Sequence, residues 1–301
     1  MEAQSLELSV IDAFTDEAFS GNPAGVVLQA SGLNEGQMQR IAREVNASET
    51  AFLVGGDAGL FKVRFFTPTQ EVDFCGHATV AIASALAWSG QVLVQGQPVQ
   101  LRLSVPAGEV PIELRPHPVC GVEVSMTQPK PRFADFGYRI ELLAGALGLD
   151  AYSIPASNPM GLAYTGLWAL VVPVVSRAVI DAARPDFAAL ADLNRKVGCA
   201  STHLYTQIGP NRIYCRDFSP AVGVPEDPVT GSAMGATAAL LVREKAIDLT
   251  PPVTRIEAEQ GHALGRAGRA FIDVRHGSAG PEQVRVSGTA VEVFTGRIRI
   301  P

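Results

Sequence analysis

Four residues have the type and the setting for acid–base chemistry: Glu49, His77, Asp227 and Ser232. Glu49 lies in Asn46-Ala47-Ser48-Glu49-Thr50-Ala51-Phe52-Leu53, between a helical stretch and an apolar, strand-like one. A carboxyl group set against an apolar strand holds its proton more tightly, which suits proton transfer near neutral pH. The same residues can instead organise a turn, with Ser48 or Thr50 bonding the local backbone. His77 stands at the first turn of a small-residue helix, in Gly76-His77-Ala78-Thr79. There an imidazole can hold or donate a proton, its pKa lowered by the helix end, or it can merely cap the turn. Asp227 lies five residues before Ser232, in a loop feeding a second such helix, where carboxylates more often cap or face solvent.

Both helices open on a glycine, at Gly76 and at Gly231. Helix N-termini present unpaired N–H groups and a partial positive charge, and glycine lets the backbone approach a ligand. Taken singly, each is an ordinary helix start. Facing one another, two such ends would make a cleft suited to a carboxylate substrate, with Gly76, Ala78, Thr79, Thr230 and Gly231 as its contacts.

The elements that must position these residues come as a repeat. A shift of 152 residues lays Arg43-Glu44-Val45 on Arg195-Lys196-Val197 and Arg64-Phe65-Phe66-Thr67-Pro68 on Arg216-Asp217-Phe218-Ser219-Pro220. In that register Glu49 falls on Ser201, so only one copy carries the carboxylate. Each R-x-F-[ST]-P is followed by an acidic loop, a glycine and an apolar small-residue helix, Val80 to Ala87 in the first half and Met234 to Val242 in the second. Helices apolar all round are buried on every side. Alternating runs at Phe61–Phe65, Val99–Val105, Val291–Phe294 and Ile298–Ile300 read as strands. Asn34 to Val45 reads as a helix, and Asp181 to Val197 as its counterpart. The expected architecture is α+β: two pseudo-symmetric domains, each a barrel-like mixed sheet around a central helix. The boundaries are placed at 1–120 and 121–294, with the last strand, 295–301, packing back on the first domain.

Composition narrows the class. With 301 residues and 47% hydrophobic content the chain can fill two cores. A net charge of −6 without a Lys/Arg cluster argues against a nucleic-acid partner. The opening Met1 to Leu8, with Glu2 and Glu7, lacks a signal-peptide pattern, and the longest apolar run, Leu167–Val175, is too short to span a bilayer. A cytoplasmic protein with no membrane partner is expected. Cys75, Cys120, Cys199 and Cys215 form no C-x-x-C pair; Cys75 and His77 are too close for the usual zinc spacing, so no metal site is expected. No dinucleotide or P-loop glycine motif occurs.

Five segments together resemble the PhzF-like isomerases, within the superfamily of diaminopimelate epimerase and proline racemase. They are Ile11-Asp12-Ala13-Phe14-Thr15 with Gly21-Asn22-Pro23-Ala24-Gly25; Asn46-Ala47-Ser48-Glu49-Thr50; Phe74-Cys75-Gly76-His77-Ala78-Thr79; Glu226-Asp227-Pro228-Val229-Thr230-Gly231-Ser232; and Val286-Ser287-Gly288-Thr289-Ala290. The resemblance implies Glu49 as general acid/base, with His77, Asp227 and Ser232 around a small carboxylate substrate. It also implies no cofactor and a homodimer. Cys75 and Ala78 flank the Gly-His pair where the phenazine enzyme has Ala and Pro, which places the chain in the broader PhzF-like group. Two rival readings remain at this level. A two-thiol racemase would use Cys75, but Pro228-Val229-Thr230 offers no second cysteine. A non-catalytic small-molecule-binding protein would keep the fold without needing the full polar set.

Overall fold

A computed structural model describes residues 5–57 and 59–301; Met1 and Glu2, used above, lie outside them. The chain forms two compact units. One runs to Thr127 and resumes over Ser287–Pro301; the other is Gln128–Val286.

The first unit holds β1 (Ser5–Ala13), β2 (Asn22–Val27), α1 (Glu35–Val45), β3 (Glu49–Asp57), β4 (Leu60–Phe66), β5 (Glu71–Val72), α2 (Gly76–Trp88), β6 (Val99–Val105), β7 (Gly108–His117) and β8 (Gly121–Thr127). The second continues with β9 (Arg132–Ala134), α3 (Ile140–Leu147), β10 (Gly161–Tyr164), β11 (Trp168–Pro173), α4 (Arg177–Ala182), α5 (Phe187–Val197), β12 (Ser201–Gly209), β13 (Arg212–Ser219), β14 (Val224–Asp227), α6 (Gly231–Arg243), β15 (Val253–Gln260), β16 (Gly268–Gly277) and most of β17 (Gly280–Gly288). The closing strand β18 (Ala290–Arg299) belongs to the first unit, antiparallel to β1. Gly121, where the sequence reading sets the domain switch, opens β8, which pairs with β7 from His117↔Gly121 to Ile112↔Met126. The two short runs read at Val291–Phe294 and Ile298–Ile300 are one strand that starts before Thr295.

In the first unit the strands follow the order β18, β1, β2, β3, β4, β6, β7, β8, with β2–β3 and β4–β6 parallel. Parallel neighbours need a long crossover, and α1 and α2 lie in those two connections. In the second unit β11–β12 and β13–β15 are the parallel pairs, with α5 and α6 in the corresponding connections.

The repeat seen in the sequence extends to the caps. Asn34 caps α1 with a capping box through Gln37, and Asp186, 152 residues on, caps α5 by accepting from Ala188 and Ala189 N–H. Asn46 and Gly198, again 152 apart, end the same helices in the left-handed conformation. The stretch Asp181 to Val197 is two helices rather than one, broken at Ala183–Asp186. Pro185 cannot donate to a helical carbonyl and forces its predecessor towards extended backbone.

The helices α2 and α6 have 13 residues each and are apolar on all faces. Residues His77 to Leu86 of α2 are buried, and the helix packs on β1, β2, β3 and β8. The helix α6 packs on β10, β11, β12, β15 and β16. Small side chains permit this enclosure: a Cβ on Gly235 would sit 3.0 Å from Thr165 Oγ1 and 3.2 Å from Val286 Cγ2.

Candidate active site

In the first unit Glu49 opens β3. The left-handed cap at Asn46 ends α1 and turns the chain, so that β3 enters the sheet parallel to β2 with Glu49 opposite Ala24. Extended backbone at Cys75 starts α2 and makes His77 its second residue. These two chain starts bring the side chains together. Glu49 Oε2 lies 3.2 Å from His77 Nε2, and Ser48 Oγ lies 3.1 Å from the same nitrogen. Cys75 Sγ lies 3.4 Å from His77 Nδ1. One proton arrangement satisfies every contact. The Cys75 thiol donates to Nδ1, Nε2–H donates to Glu49 and Ser48, and the Ser48 hydroxyl donates to the Pro23 carbonyl at 3.5 Å.

Burial drives the His77 pKa below its ordinary value, and the Glu49 charge opposes this only in part. The sequence reading reaches the same direction from the helix end; desolvation is the larger cause. His77 is therefore a neutral imidazole at pH 7. Its side chain is 7% exposed, while Glu49 keeps 18% exposure and is the member of the pair open to solvent. Gly76 keeps some surface. Ala78 and Thr79 are fully enclosed, and the Thr79 N–H is taken by the Cys75 carbonyl at 3.0 Å.

In the second unit Asp227 ends β14 and Thr230 is the residue before α6. The Thr230 hydroxyl donates to Asp227 Oδ2 at 2.6 Å. Gln260, at the end of β15 and fully buried, ties the loop down. Its Nε2 donates to the Asp227 carbonyl at 2.7 Å and to Thr230 Oγ1 at 3.1 Å, and its Oε1 accepts from the Thr230 N–H at 3.4 Å. Ser232 is partly exposed in the first turn of α6, where its carbonyl accepts from the Thr165 hydroxyl at 2.8 Å. Gly231 is buried beside it. Next to Asp227, Glu226 takes a two-pronged ion pair from Arg216, at 2.8 Å on each side.

The structure thus brings Glu49, His77 and Gly76 together in the first unit and Asp227, Thr230, Gly231 and Ser232 together in the second. Sequence reasoning names Ser48 only as a turn residue and misses Gln260. It also missed a fully buried pair, His203 and Asp217, whose Nδ1 and Oδ2 lie 2.9 Å apart, with Ser219 donating to the other Asp217 oxygen at 2.8 Å. A signal for that pair was present. Under the 152-residue shift His203 and Asp217 fall on Ala51 and Phe65, which face each other across β3 and β4. An apolar cross-strand pair in one copy is a polar pair in the other.

Two α+β units, each with a mixed sheet and a central helix, make up the diaminopimelate epimerase-like fold. The family model described as phenazine biosynthesis-like protein, PhzC-PhzF, matches residues 11–296, and the chain belongs to that family. It is 42% identical to an uncharacterized isomerase of Deinococcus radiodurans, over 93% of this chain and 90% of that one. It is 35% identical to the trans-2,3-dihydro-3-hydroxyanthranilate isomerase of Pseudomonas aeruginosa, over 96% of this chain and 97% of that one. The crystal structure of a PhzF-family protein of Bacillus anthracis superposes with a TM-score of 0.89 at 32% identity, covering 99% of this chain and all of the other. The protein is an enzyme of the isomerase kind. Among the described residues no helix is long and apolar enough to cross a membrane.

Proposed function

We propose that the protein moves a proton between two carbons of a small carboxylate substrate, with Glu49 as the group that takes and returns it. The observation that carries this reading is the contact of a solvent-open carboxylate with a buried, neutral imidazole, Glu49 Oε2 to His77 Nε2 at 3.2 Å.

In the resting state Nε2–H donates to the Glu49 carboxylate and fixes its orientation. The carboxylate accepts a proton from an acidic C–H of the substrate, and the electron pair moves into the adjacent unsaturated system. Glu49, now a carboxylic acid, delivers the same proton to another carbon of that system and is a carboxylate again. Proton and charge balance over the cycle, and every group the scheme uses belongs to the chain. In the second unit, Asp227, Thr230 and Ser232 are assigned a hydrogen-bonding role towards polar substituents of a substrate. The Pseudomonas aeruginosa relative is named for a cyclic amino carboxylic acid, so ring carboxylates are the first class to test. The site departs from a two-thiol racemase because Thr230, not a cysteine, precedes α6. We also place the working protein in the cytoplasm as a homodimer; a monomer mass in light scattering refutes the assembly.

The test is incorporation of solvent deuterium at carbon, read by mass spectrometry over a panel of cyclic and amino carboxylic acids in heavy water. Glu49→Gln keeps the shape and removes the base. Exchange should fall by at least about 100-fold, the low end of what a general base contributes. Unchanged exchange in the folded variant refutes the assignment.

A further inference from the structure

We propose that Cys75, His77 and Glu49 form a zinc-binding site in the first unit, and that an ion held there shuts off the proton transfer. The binding claim stands on geometry alone; the inhibitory consequence rests on the function proposed above.

The three residues offer one sulfur, one nitrogen and one oxygen, all within 4.8 Å of one another. A tetrahedral zinc ion has bonds of about 2.0 Å to nitrogen and oxygen and about 2.3 Å to sulfur, which places its ligand atoms roughly 3.3–3.5 Å apart. His77 Nε2 lies 3.2 Å from Glu49 Oε2 and 3.8 Å from Cys75 Sγ. Both edges are already near the length an ion imposes, and the third, Cys75 Sγ to the Glu49 carboxylate, lies within the 4.8 Å span of the cluster. The ligand mix is also selective. Thiolate and imidazole suit zinc, whereas magnesium and calcium prefer all-oxygen shells. Cys75 is the residue before the first turn of α2, where the helix dipole compensates an anionic ligand. His77 and Cys75 are buried and Glu49 is partly open, so three protein ligands would leave a fourth position towards solvent. The short sequence spacing of Cys75 and His77 had argued against a metal. What supplies the third ligand is Glu49, brought in by β3 from a distant part of the sequence.

The exchange balances simply. The ion enters, the Cys75 thiol proton leaves to buffer, and the His77 proton moves from Nε2 to Nδ1 so that the Nε2 lone pair can bind. The ion then occupies the same Glu49 and His77 atoms that proton transfer uses. Catalysis and metal capture exclude each other.

Metal-stripped full-length protein is titrated with zinc chloride by calorimetry, and with cobalt chloride by absorption as a thiolate reporter. One zinc per chain, release of a proton and a sulfur-to-cobalt charge-transfer band are expected. Cys75→Ser should abolish the band and weaken zinc by at least about 100-fold, beyond the 10–100-fold loss typical of outer-shell changes. Glu49→Gln should weaken zinc with Cys75 intact, so the site is read even if the Cys75 variant unfolds. Cys120→Ser, at a thiol outside the cluster, should change neither signal. Absence of zinc binding, or binding indifferent to Cys75 and Glu49, overturns the proposal. Deuterium exchange separates the two ideas. One equivalent of zinc should stop it and a chelator should restore it. Glu49-dependent exchange in a protein that binds no zinc removes the metal site alone; zinc binding beside exchange that survives Glu49→Gln removes the proton-transfer role alone.

Discussion

The duplicated Arg–Glu pair offers a stability experiment with its control built in. Arg216 and Glu226 in the second unit match Arg64 and Glu71 in the first; all four follow from the same R-x-F-[ST]-P motif and acidic loop. Their surroundings differ. The Arg216 and Glu226 side chains are 6% and 11% exposed, against 24% and 27% for Arg64 and Glu71. Arg216 Nη1 also donates to the carbonyls of Ile180 at 2.8 Å and Ala183 at 3.1 Å, at the C-terminal end of α4. Glu226→Ala leaves a buried guanidinium with backbone partners but no counter-charge, a loss of about 3–5 kcal/mol. Glu71→Ala breaks a water-screened pair worth about 0.2–1 kcal/mol, and Arg64 keeps Glu35 at 2.9 Å. At about 2–4 °C per kcal/mol, the first variant should lower Tm by roughly 6–20 °C and the second by at most about 4 °C. Each unit holds one tryptophan, Trp88 in the first and Trp168 in the second, so Trp88→Phe makes fluorescence report the second unit alone. Equal losses for the two glutamate variants, or a larger one for Glu71→Ala, refute the argument that burial sets the value of this pair.

Three further outcomes follow from particular contacts. His77 binds its proton less readily when folded than when unfolded, so below the unfolded value of 6.5 the unfolded chain takes up a proton that the native one refuses. Stability is therefore full above that pH and lost as pH falls from 6.5 towards the lower folded value, by up to about 1.4 kcal/mol per pH unit; urea melts at pH 7.5 and 5.5 should show a smaller difference in His77→Asn than in the native chain. Gln260→Leu removes the amide that bonds the Asp227 carbonyl and the Thr230 N–H, at about 0.5–1.5 kcal/mol for each hydrogen bond lost, and should slow deuterium exchange; unchanged melting and exchange would deny Gln260 its anchoring role. Gly288→Ala puts a Cβ 2.4 Å from the Phe14 ring, whose own left-handed backbone at φ 63° resists adjustment, so a loss of about 1–3 kcal/mol is expected in denaturant melts.

Much of this was legible in the sequence because local chemistry and the repeat agreed. Asn34 and Asn46 bracket α1 by capping, and the 152-residue shift carries those boundaries to Asp186 and Gly198 without a gap. Apolar helices with no polar face could only be central ones. The failures share a cause: they depend on contacts remote in sequence. The break at Pro185 is the exception: it is a local signal, but the stretch reads as one helix when taken as the counterpart of α1. Gln260 looks like any strand-end glutamine until β15 brings it beside the start of α6. Ser48 gains a role only when α2 places His77 over it.

The two copies also separate what the scaffold needs from what chemistry needs. Arg64 with Glu71 and Arg216 with Glu226 keep the same pair in both units, as do the helix caps. The residues assigned to proton transfer are unmatched. Glu49 falls on Ser201, which is fully buried at the start of β12, and His77 falls on Ser232 when α2 is laid on α6. A reaction using one base needs only one copy of it, and a second carboxylate at position 201 would be buried where even the Ser201 hydroxyl has no hydrogen-bond partner among the described residues, at a cost of several kcal/mol. Ser201→Glu is thus the sharpest probe of the asymmetry. It should destabilise the second unit and confer no second exchange site; a folded variant that exchanges deuterium after Glu49→Gln would show that either copy can host the base, and that the one-sided arrangement is not required by the fold.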